Sequence, residues 1–349
     1  MTRVEPSEQV SLPTENAARP AAGGGPWILA GRRLSHNRSA MAAATLLAII
    51  VAVTLLAPLY AHHVAHTDPF GSNLAGRTIV DGKHVDVLQQ SGGLGLGVTP
   101  IGPTWDVHHY FLGADSEGRD VAARILYGGQ ASLLIAVGAA LGSMLIASVL
   151  ALVAGFFGGL VDTLLSRLMD ILWAFPVFLL AILITTVSLT QGLRFGPISI
   201  STSGVVLPIV VIALIFVPFQ YRPIRGQVLT VRERDFVKAA IVQGASARWL
   251  LWEEILPNVV NTLIVFLPLV MGINLLVESG LSFLGIGVQP PAASWGSIIG
   301  DSQNLLYTRP WVAMGPGIMI VLTVVGLNVL GDGVRDAFDP NVRRLVPAA

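Results

Sequence analysis

Few side chains in this sequence of 349 residues have types and spacings that could do chemistry, and the clearest candidate is a lone acid. Glu278 stands within a long apolar stretch, where an ionisable side chain is costly to place and therefore often serves a function. Such a residue either lines a transport pathway or is a buried hydrogen-bond partner of a neighbouring helix. The sequence leaves both roles open for Glu278.

Three histidines form a second candidate, because His62, His63 and His66 are close enough in sequence to present two imidazoles to one metal ion. No carboxylate stands at helical spacing to complete the ligand set. Polar residues that flank an apolar stretch are more often simply hydrated. We therefore expect no metal site in this chain.

Nucleotide hydrolysis by this chain is excluded by the positions of its lysines. The two lysines, Lys83 and Lys238, do not end a GxxxxGK[ST] motif, so there is no phosphate-binding loop and any ATP must be hydrolysed by another polypeptide. The alternating glycines at 93–97 open no helix after a strand and indicate a plain loop. The chain has no Cys, and no Ser–His pair lies within its apolar stretches. We expect no catalytic residue and no cofactor bound by this chain.

The elements that hold these residues are predicted by the distribution of apolar residues. Hydrophobic residues make up 53% of the chain and charged residues 12%, and the mean hydropathy is +0.70, unlike an ordinary soluble domain. The apolar residues form long blocks, each near the roughly 20 residues that a helix needs to cross a bilayer. The sequence therefore predicts an all-α membrane protein with six transmembrane helices. The predicted spans are 41–60, 131–157, 168–189, 205–219, 259–283 and 311–330.

Charge positions predict the orientation of these spans. The loop between the fourth and fifth spans is the most basic part of the chain, with Arg222, Arg225, Arg232, Arg234, Lys238 and Arg248. Basic loops remain in the cytoplasm, so both termini are expected there, and the acidic segment at 61–130 is expected outside. The turn formers of that segment leave room for one small hairpin at most.

These observations divide the chain into consecutive parts. We expect a disordered cytoplasmic tail at 1–38, a first transmembrane helix at 39–60, a periplasmic segment at 61–130, a core of five transmembrane helices at 131–332 that contains a cytoplasmic loop at 221–258, and a cytoplasmic tail at 333–349.

The loop at 221–258 carries the strongest functional pattern. A helix is predicted over 234–243 and ends at Gly244, a residue type common at helix C-termini. Ser246 is placed to cap a second short helix, which Pro257 joins to the fifth span.

The first of these short helices is suited to docking on another protein. Ala239 and Ala240 would let a partner's backbone come close, while Phe236 and Ile241 would anchor the helix in a groove. The alternative is a solvated connecting loop, which the aromatic and apolar residues of this segment disfavour.

Three motifs in the loop resemble the EAA loop of permease subunits from binding-protein-dependent ABC importers. They are Lys238-Ala239-Ala240, Gly244-Ala245-Ser246 and Ile255-Leu256-Pro257-Asn258. In that family the loop forms a coupling helix seated on the ATPase subunit. The resemblance, together with the anchoring pattern, assigns ATPase coupling to Phe236, Lys238, Ala239, Ala240, Gly244, Ala245, Ser246 and Pro257.

The resemblance covers roughly residues 100–345. Segment 111–121, FLGADSEGRDV, is similar to the segment before the second span in the C-type subunit of dipeptide, oligopeptide and nickel importers. The resemblance implies a type I ABC importer permease fold in the bacterial inner membrane. It also implies partners: a second permease subunit, two ATPases that bind ATP and Mg²⁺, and a periplasmic or lipid-anchored substrate-binding protein. A net charge of zero suggests no nucleic-acid partner.

Peptide import, with this chain forming half of the translocation pathway, is the favoured function. An importer of nickel or another small solute remains an alternative, as does an ion-coupled secondary transporter. Secondary transporters typically have several intramembrane ionisable residues and inverted repeats, whereas Glu278 is the one strong candidate in this sequence. An intramembrane enzyme is disfavoured because no catalytic constellation lies in the spans.

Overall fold

The computed structural model describes residues 26–80, 82–90, 97–195, 198–200 and 204–338. These residues form a bundle of long helices with three two-stranded antiparallel sheets. The α-helices are α1 (Pro26–His36), α2 (Arg38–Leu55), α3 (Ala57–Leu59), α4 (Val121–Phe157), α5 (Gly159–Ala174), α6 (Val177–Gln191), α7 (Val206–Arg232), α8 (Asp235–Val242), α9 (Ala247–Trp249), α10 (Leu256–Phe283), α11 (Trp295–Asp301) and α12 (Trp311–Phe338). The sheets pair β1 (Arg77–Val80) with β2 (Lys83–Asp86), β3 (Leu88–Gln90) with β4 (Val98–Pro100), and β5 (Leu193–Phe195) with β6 (Ile198–Ile200). π-Helical turns occur at Tyr60–Val64 and Leu250–Ile255, and a 3-10 turn at Gln303–Leu305.

The predicted all-α membrane class is confirmed, and the count of six crossings depends on one bent helix pair. Among the described residues, five helical stretches are long and apolar enough to cross a bilayer alone: α2, α4, α7, the stretch Ala247–Phe283 and α12. Helices α5 and α6 pass the same test together but meet at 90°. The third span predicted at 168–189 is therefore not one continuous helix but is broken at Phe175 and Pro176. Phe175 takes an extended conformation because the α conformation is disfavoured before Pro176.

Helix α4 lies at the centre of the bundle and packs along α7. Gly155 comes so close to α7 that an added Cβ would stand 2.6 Å from Val228, and at Gly142 the distance to Ala213 would be 3.2 Å. Small residues let two helices approach in this way inside a membrane, where close packing rather than water expulsion stabilises the pair. Helix α10 packs against α4 and α12, and α12 packs against α2.

The bundle has two distinct ends. At the hairpin end, β1–β4 and the loops around them precede α4, and α11 packs beside the start of α4. At the α8 end, α8 and α9 connect α7 to α10, while Gly333 near the end of α12 lies against Ala40 near the start of α2.

Several predicted boundaries differ from the observed helices because helices continue beyond the bilayer. Helix α4 begins ten residues before the predicted span at 131–157, and α7 continues to Arg232 through Pro218 and Pro223.

The predicted disordered tail is wrong for α1, which packs against α12 and brings the ring of Trp27 to 5.3 Å from that of Phe338. Residues 1–25 and 339–349 of the predicted tails lie outside the described residues.

The segment before α4 is more ordered than the single hairpin expected from the sequence. It contains two hairpins, β1–β2 and β3–β4. Arg309, just before α12, donates a 2.7 Å hydrogen bond to the carbonyl of Pro100 at the end of β4, which fixes this segment to the bundle.

A buried ion cluster also ties this segment to the bundle. Asp115 accepts a hydrogen bond from Arg119 at 2.8 Å and lies 3.4 Å from Arg124, and all three side chains are at most 6% exposed. Arg124 also reaches Asp301 at the end of α11, at 3.1 Å. The cluster thus joins the loop before α4, α4 itself and α11.

Replacing Asp115 by Asn should destabilise the protein strongly, because it leaves buried Arg119 and Arg124 without full charge compensation. We expect a loss of about 3 kcal/mol, the usual result of breaking a buried ion pair. Thermal unfolding in detergent measures this effect. Asp86→Asn is the control, since its pair with Arg77 is exposed and should contribute little. Equal melting points for the two variants would contradict the prediction.

Asp120 is the N-cap of α4, and its side chain accepts a hydrogen bond from the Ala123 amide. Burial raises the pKa of this carboxyl to about 6, above its ordinary value of about 4. Folding therefore favours the protonated form, and stability should fall as the pH rises from about 4 to about 6. Asp120→Asn, which keeps a capping side chain, should flatten the melting temperature over this interval. An unchanged slope would disprove the assignment.

Candidate functional site

The segment between α7 and α10 forms the candidate site at the α8 end. Helix α7 ends at Arg232, whose guanidinium donates a 3.1 Å hydrogen bond to the Gly155 carbonyl of α4. Arg234 is extended, so the chain changes direction before α8 begins. The segment therefore begins at the end of α7, which the Arg232 hydrogen bond holds against α4.

Gly244 ends α8 through a turn that the sequence predicted. Its amide donates to the Ile241 carbonyl and the Ala245 amide donates to the Ala240 carbonyl, both at 3.0 Å. This is the Schellman arrangement, which needs a left-handed residue, and Gly244 has a φ of +85°. Among the described residues, no neighbouring atom lies within 4 Å of a Cβ added there, so the conformation rather than space requires glycine.

The second short helix runs into the fifth span without a break in helical structure. Ser246 caps α9 by accepting a 3.3 Å hydrogen bond from the Trp249 amide, as predicted. The chain then stays helical through the π turn Leu250–Ile255 into α10. Pro257 lies in the first turn of α10, where its missing N–H and fixed φ are tolerated.

The inner face of this segment packs firmly on the bundle. Val237 and Ala240 of α8 are buried together with Leu250, Ile255 and Met169 in one apolar cluster. The exposed fractions of these side chains are all at most 9%. The segment is therefore attached to the transmembrane helices and is not a free loop.

Five large apolar residues of this segment are exposed, and we refer to them together as the apolar patch: Phe236, Ile241, Val242, Trp249 and Trp252. Between 43% and 88% of each of these residues is exposed. Large apolar side chains clustered at a polar end of a protein commonly mark a protein interface. Trp249 and Trp252 were absent from the predicted site residues, although two tryptophans in a loop predicted to face water were a readable signal.

The other predicted coupling residues divide between the two faces. The exposed members are Ala239, Gly244, Ser246 and Pro257, whereas Ala245 is half-buried and Ala240 is buried against the bundle. Of the predicted alanine pair, Ala239 is therefore the one at which a partner's backbone would come close. Lys238 forms a 3.2 Å ion pair with Glu233 on the surface. A groove of about 420 Å³ lies between the end of α8 and Trp249.

Glu278 is fully buried and links three helices at the hairpin end. Its carboxylate accepts hydrogen bonds from Ser282 at 2.7 Å, from Ser132 of α4 at 3.0 Å and from Ser279 at 3.4 Å. Ser132 in turn accepts a 3.1 Å hydrogen bond from the Trp295 amide at the start of α11. In this conformation Glu278 has the geometry of a buried link between helices, which is one of its two predicted roles.

Further polar residues inside the spans were missed by the sequence analysis. Gln220 of α7 donates a 2.5 Å hydrogen bond to Ser143 of α4. Asn274 of α10 is fully buried, and neither polar atom of its side chain has a hydrogen-bond partner among the described residues. An amide within the predicted fifth span was the available signal for Asn274, whereas Gln220 lies one residue beyond the predicted fourth span of 205–219.

The predicted histidines lie near one another at the end of the first span. His62 and His63 belong to the π turn, and His66 follows it with a left-handed φ of 51°. Within the part of the chain that the structure describes, no group of three or more His, Cys, Asp or Glu residues is arranged to hold a metal ion.

The two roles of Glu278 can be separated by substitution. Glu278→Gln keeps the shape and one acceptor oxygen, so it should preserve most of the thermal stability, whereas Glu278→Ala removes all three serine contacts and should lower stability by about 2–4 kcal/mol. Thermal unfolding measures the effect on stability, and solute uptake by the importer complex that the sequence predicts measures a role in the pathway. If Glu278→Gln abolished uptake without loss of stability, the Glu278 carboxylate would act in the transport pathway and not only as a hydrogen-bond link between helices.

Comparison with known proteins identifies the family. The model of the binding-protein-dependent transport system inner membrane component matches residues 147–344, and the N-terminal TM domain of oligopeptide transport permease C matches residues 25–75. The dipeptide transport system permease protein DppC of Alkalihalophilus pseudofirmus is 33% identical over 91% of both chains. The oligopeptide transport system permease protein OppC of Escherichia coli K12 is 32% identical over 91% of this chain and 92% of the relative.

Two further similarities were found. The glutathione transport system permease protein GsiD of Pectobacterium atrosepticum is 35% identical over 67% of this chain and 73% of the relative. A chain of the inward-facing MetNI methionine ABC transporter, 17% identical, aligns with 60% of this chain and 94% of its own length at a TM-score of 0.48. The family match and the relatives of similar length show that the chain belongs to the binding-protein-dependent transport system inner membrane components and is a multi-pass permease of the inner membrane.

Proposed function

We propose that this chain is the C-type permease subunit of an ATP-driven importer of peptides, in which it forms half of the translocation pathway. The relatives named for dipeptide, oligopeptide and glutathione transport support this substrate class, because all three substrates are peptides. Similarity extends over nine-tenths of the chain for two of them, including the segments at both ends of the bundle.

The observation that carries the proposal is the apolar patch on α8, α9 and the π turn that follows. The side chains of the patch are exposed, whereas Val237 and Ala240 of α8 are buried against the bundle. A partner that binds the patch therefore holds two transmembrane helices, α7 through α8 and α10 through the continuous helical stretch. We assign the partner as an ATPase subunit, whose movement on binding ATP and Mg²⁺ would reorient α7 and α10.

The family to which the chain belongs supports the rest of the proposed assembly. The chain pairs with a second permease subunit, the two permeases sit on two ATPase subunits that hold ATP and Mg²⁺, and a substrate-binding protein delivers the peptide. The α8 end, with Arg222, Arg225 and Arg232 at the end of α7, faces the cytoplasm together with both chain termini. The hairpin end faces outward, where the substrate-binding protein docks.

Glu278 acts in this proposal as a positioning residue for the outer part of the pathway. It joins α10, which connects to the α8 segment, with α4 and the start of α11. Movement of α10 driven from the α8 end would reach α11 through these hydrogen bonds.

The proposal predicts that Gly244→Val uncouples ATP hydrolysis from uptake. Valine at a φ of +85° is strained by about 1–2 kcal/mol or more, which distorts the turn that orients α8. We expect uptake of a labelled dipeptide by the reconstituted transporter to fall by about tenfold while ATP hydrolysis continues. Membrane insertion of the variant should be unchanged.

Two variants control for this result. Gly244→Asn should retain most uptake, because Asn tolerates the left-handed conformation better than other residues with a Cβ. Gly31→Val places the same side chain at an open helical position of α1 and should leave coupling unchanged. Full peptide uptake by Gly244→Val, or an equal loss in Gly31→Val, would refute the role of the turn.

A further inference from the structure

We propose that a groove between α10 and α12 at the α8 end binds one zwitterionic phospholipid that carries a primary ammonium group, with its phosphate on Arg335 and its ammonium on Asp332. The groove has a volume of about 430 Å³. Val265, Phe266 and Leu269 line it from α10, and Asn328, Asp332 and Arg335 line it from α12. One side is therefore apolar and the other is polar and charged.

The two charged residues are placed to bind opposite charges on one small group. Asp332 and Arg335 are three positions apart on α12, so their Cβ atoms lie about 5–6 Å apart. Both are exposed, and within the described ranges neither forms an ion pair with the other or with any other side chain. An adjacent phosphate and ammonium can contact both.

The charged part of the groove lies at the depth of lipid headgroups. Trp311 begins α12 at the hairpin end, and aromatic residues of this type favour the membrane interface. Asp332 follows 21 positions later, which is roughly 32 Å along a helix and close to the roughly 30 Å thickness of the hydrocarbon layer. Asp332 and Arg335 therefore reach the opposite headgroup layer.

An apolar surface continues from the groove towards the middle of the bilayer. A second groove of about 370 Å³ lies further along α12 and is lined by Met314, Gly317, Ile318, Val321 and Leu322. Val325, between the two grooves, is 51% exposed. An acyl chain that extends from a headgroup at Arg335 would run along this surface, which matches the shape of a phospholipid.

The charge pattern selects among headgroups. Arg335 alone would suit any phospholipid phosphate, but a purely anionic headgroup would be repelled by Asp332 beside it. An ethanolamine headgroup offers N–H donors to the Asp332 carboxylate, and such charge-assisted hydrogen bonds are among the stronger polar contacts. A choline headgroup has no N–H to donate. The groove therefore favours phosphatidylethanolamine over phosphatidylglycerol and phosphatidylcholine.

The experiment measures lipid retention by the assembled transporter. The complex that contains the full chain is placed in nanodiscs with equal amounts of these three lipids, and native mass spectrometry counts the lipids that remain after extraction. We expect wild type to retain phosphatidylethanolamine preferentially. Arg335→Gln and Asp332→Asn should each reduce that retention by roughly tenfold, the effect of one charge-assisted hydrogen bond. Arg32→Gln and Asp336→Asn, exposed charges outside the groove, should leave it unchanged.

Equal retention of the three lipids by wild type would overturn the proposal, as would a loss in Arg335→Gln that Asp332→Asn does not share.

A second measurement uses the absence of Cys from the chain. Phe266→Cys, labelled with a benzophenone maleimide, should gain the mass of a phospholipid after illumination. A crosslink to the second permease subunit would show that a protein covers the groove and would refute the lipid assignment. Because lipid retention is read without transport, this proposal can fail while the proposed function stands.

Discussion

Close packing around α4 is the constraint on which the rest of the bundle depends. At Gly129 an added Cβ would stand 2.3 Å from Thr54 of α2 and 2.9 Å from the ring of Trp295 in α11. At the other end of α4, Gly155 is as tightly placed against Val228 of α7. Within a bilayer, apolar side chains gain little by leaving lipid for protein, so such contacts must supply much of the helix association. A larger residue at either glycine would separate helices at one end of the molecule.

Polar contacts supplement this packing where different parts of the chain meet. At the hairpin end, the Glu278 carboxylate and the Asp115 cluster join α10, α11 and the segment before α4 to α4. At the α8 end, Arg232 donates to a carbonyl that the close approach of Gly155 brings within reach. The same central helix thus positions the buried acid and the base of the apolar patch.

The sequence predicted those features that depend on local patterns. Long apolar blocks located the spans, and a glycine after an amphipathic stretch located the end of α8. Features that depend on distant partners were not predictable. Arg124 and Asp301 are separated by 177 positions, and nothing near either residue indicates the other. Order in α1 likewise depends on contact with α12, at the far end of the sequence. The bend at Pro176 had a local signal, but the continuous hydrophobicity around it indicated an unbroken span.

The continuous helical stretch Ala247–Phe283 determines how motion can pass through the molecule. Its 37 residues form a rod of roughly 55 Å, with Trp249 and Trp252 of the apolar patch near one end and Glu278 near the other. No loop interrupts this stretch, so a shift at one end is passed along the helix, and local bending is concentrated at Pro268 and at the π turn, where helices kink most readily. The π turn at Leu250–Ile255 sets the rotational phase between the two ends. Insertion or deletion of one residue in that turn would rotate the tryptophans by about 100° relative to Glu278 and leave both ends individually intact.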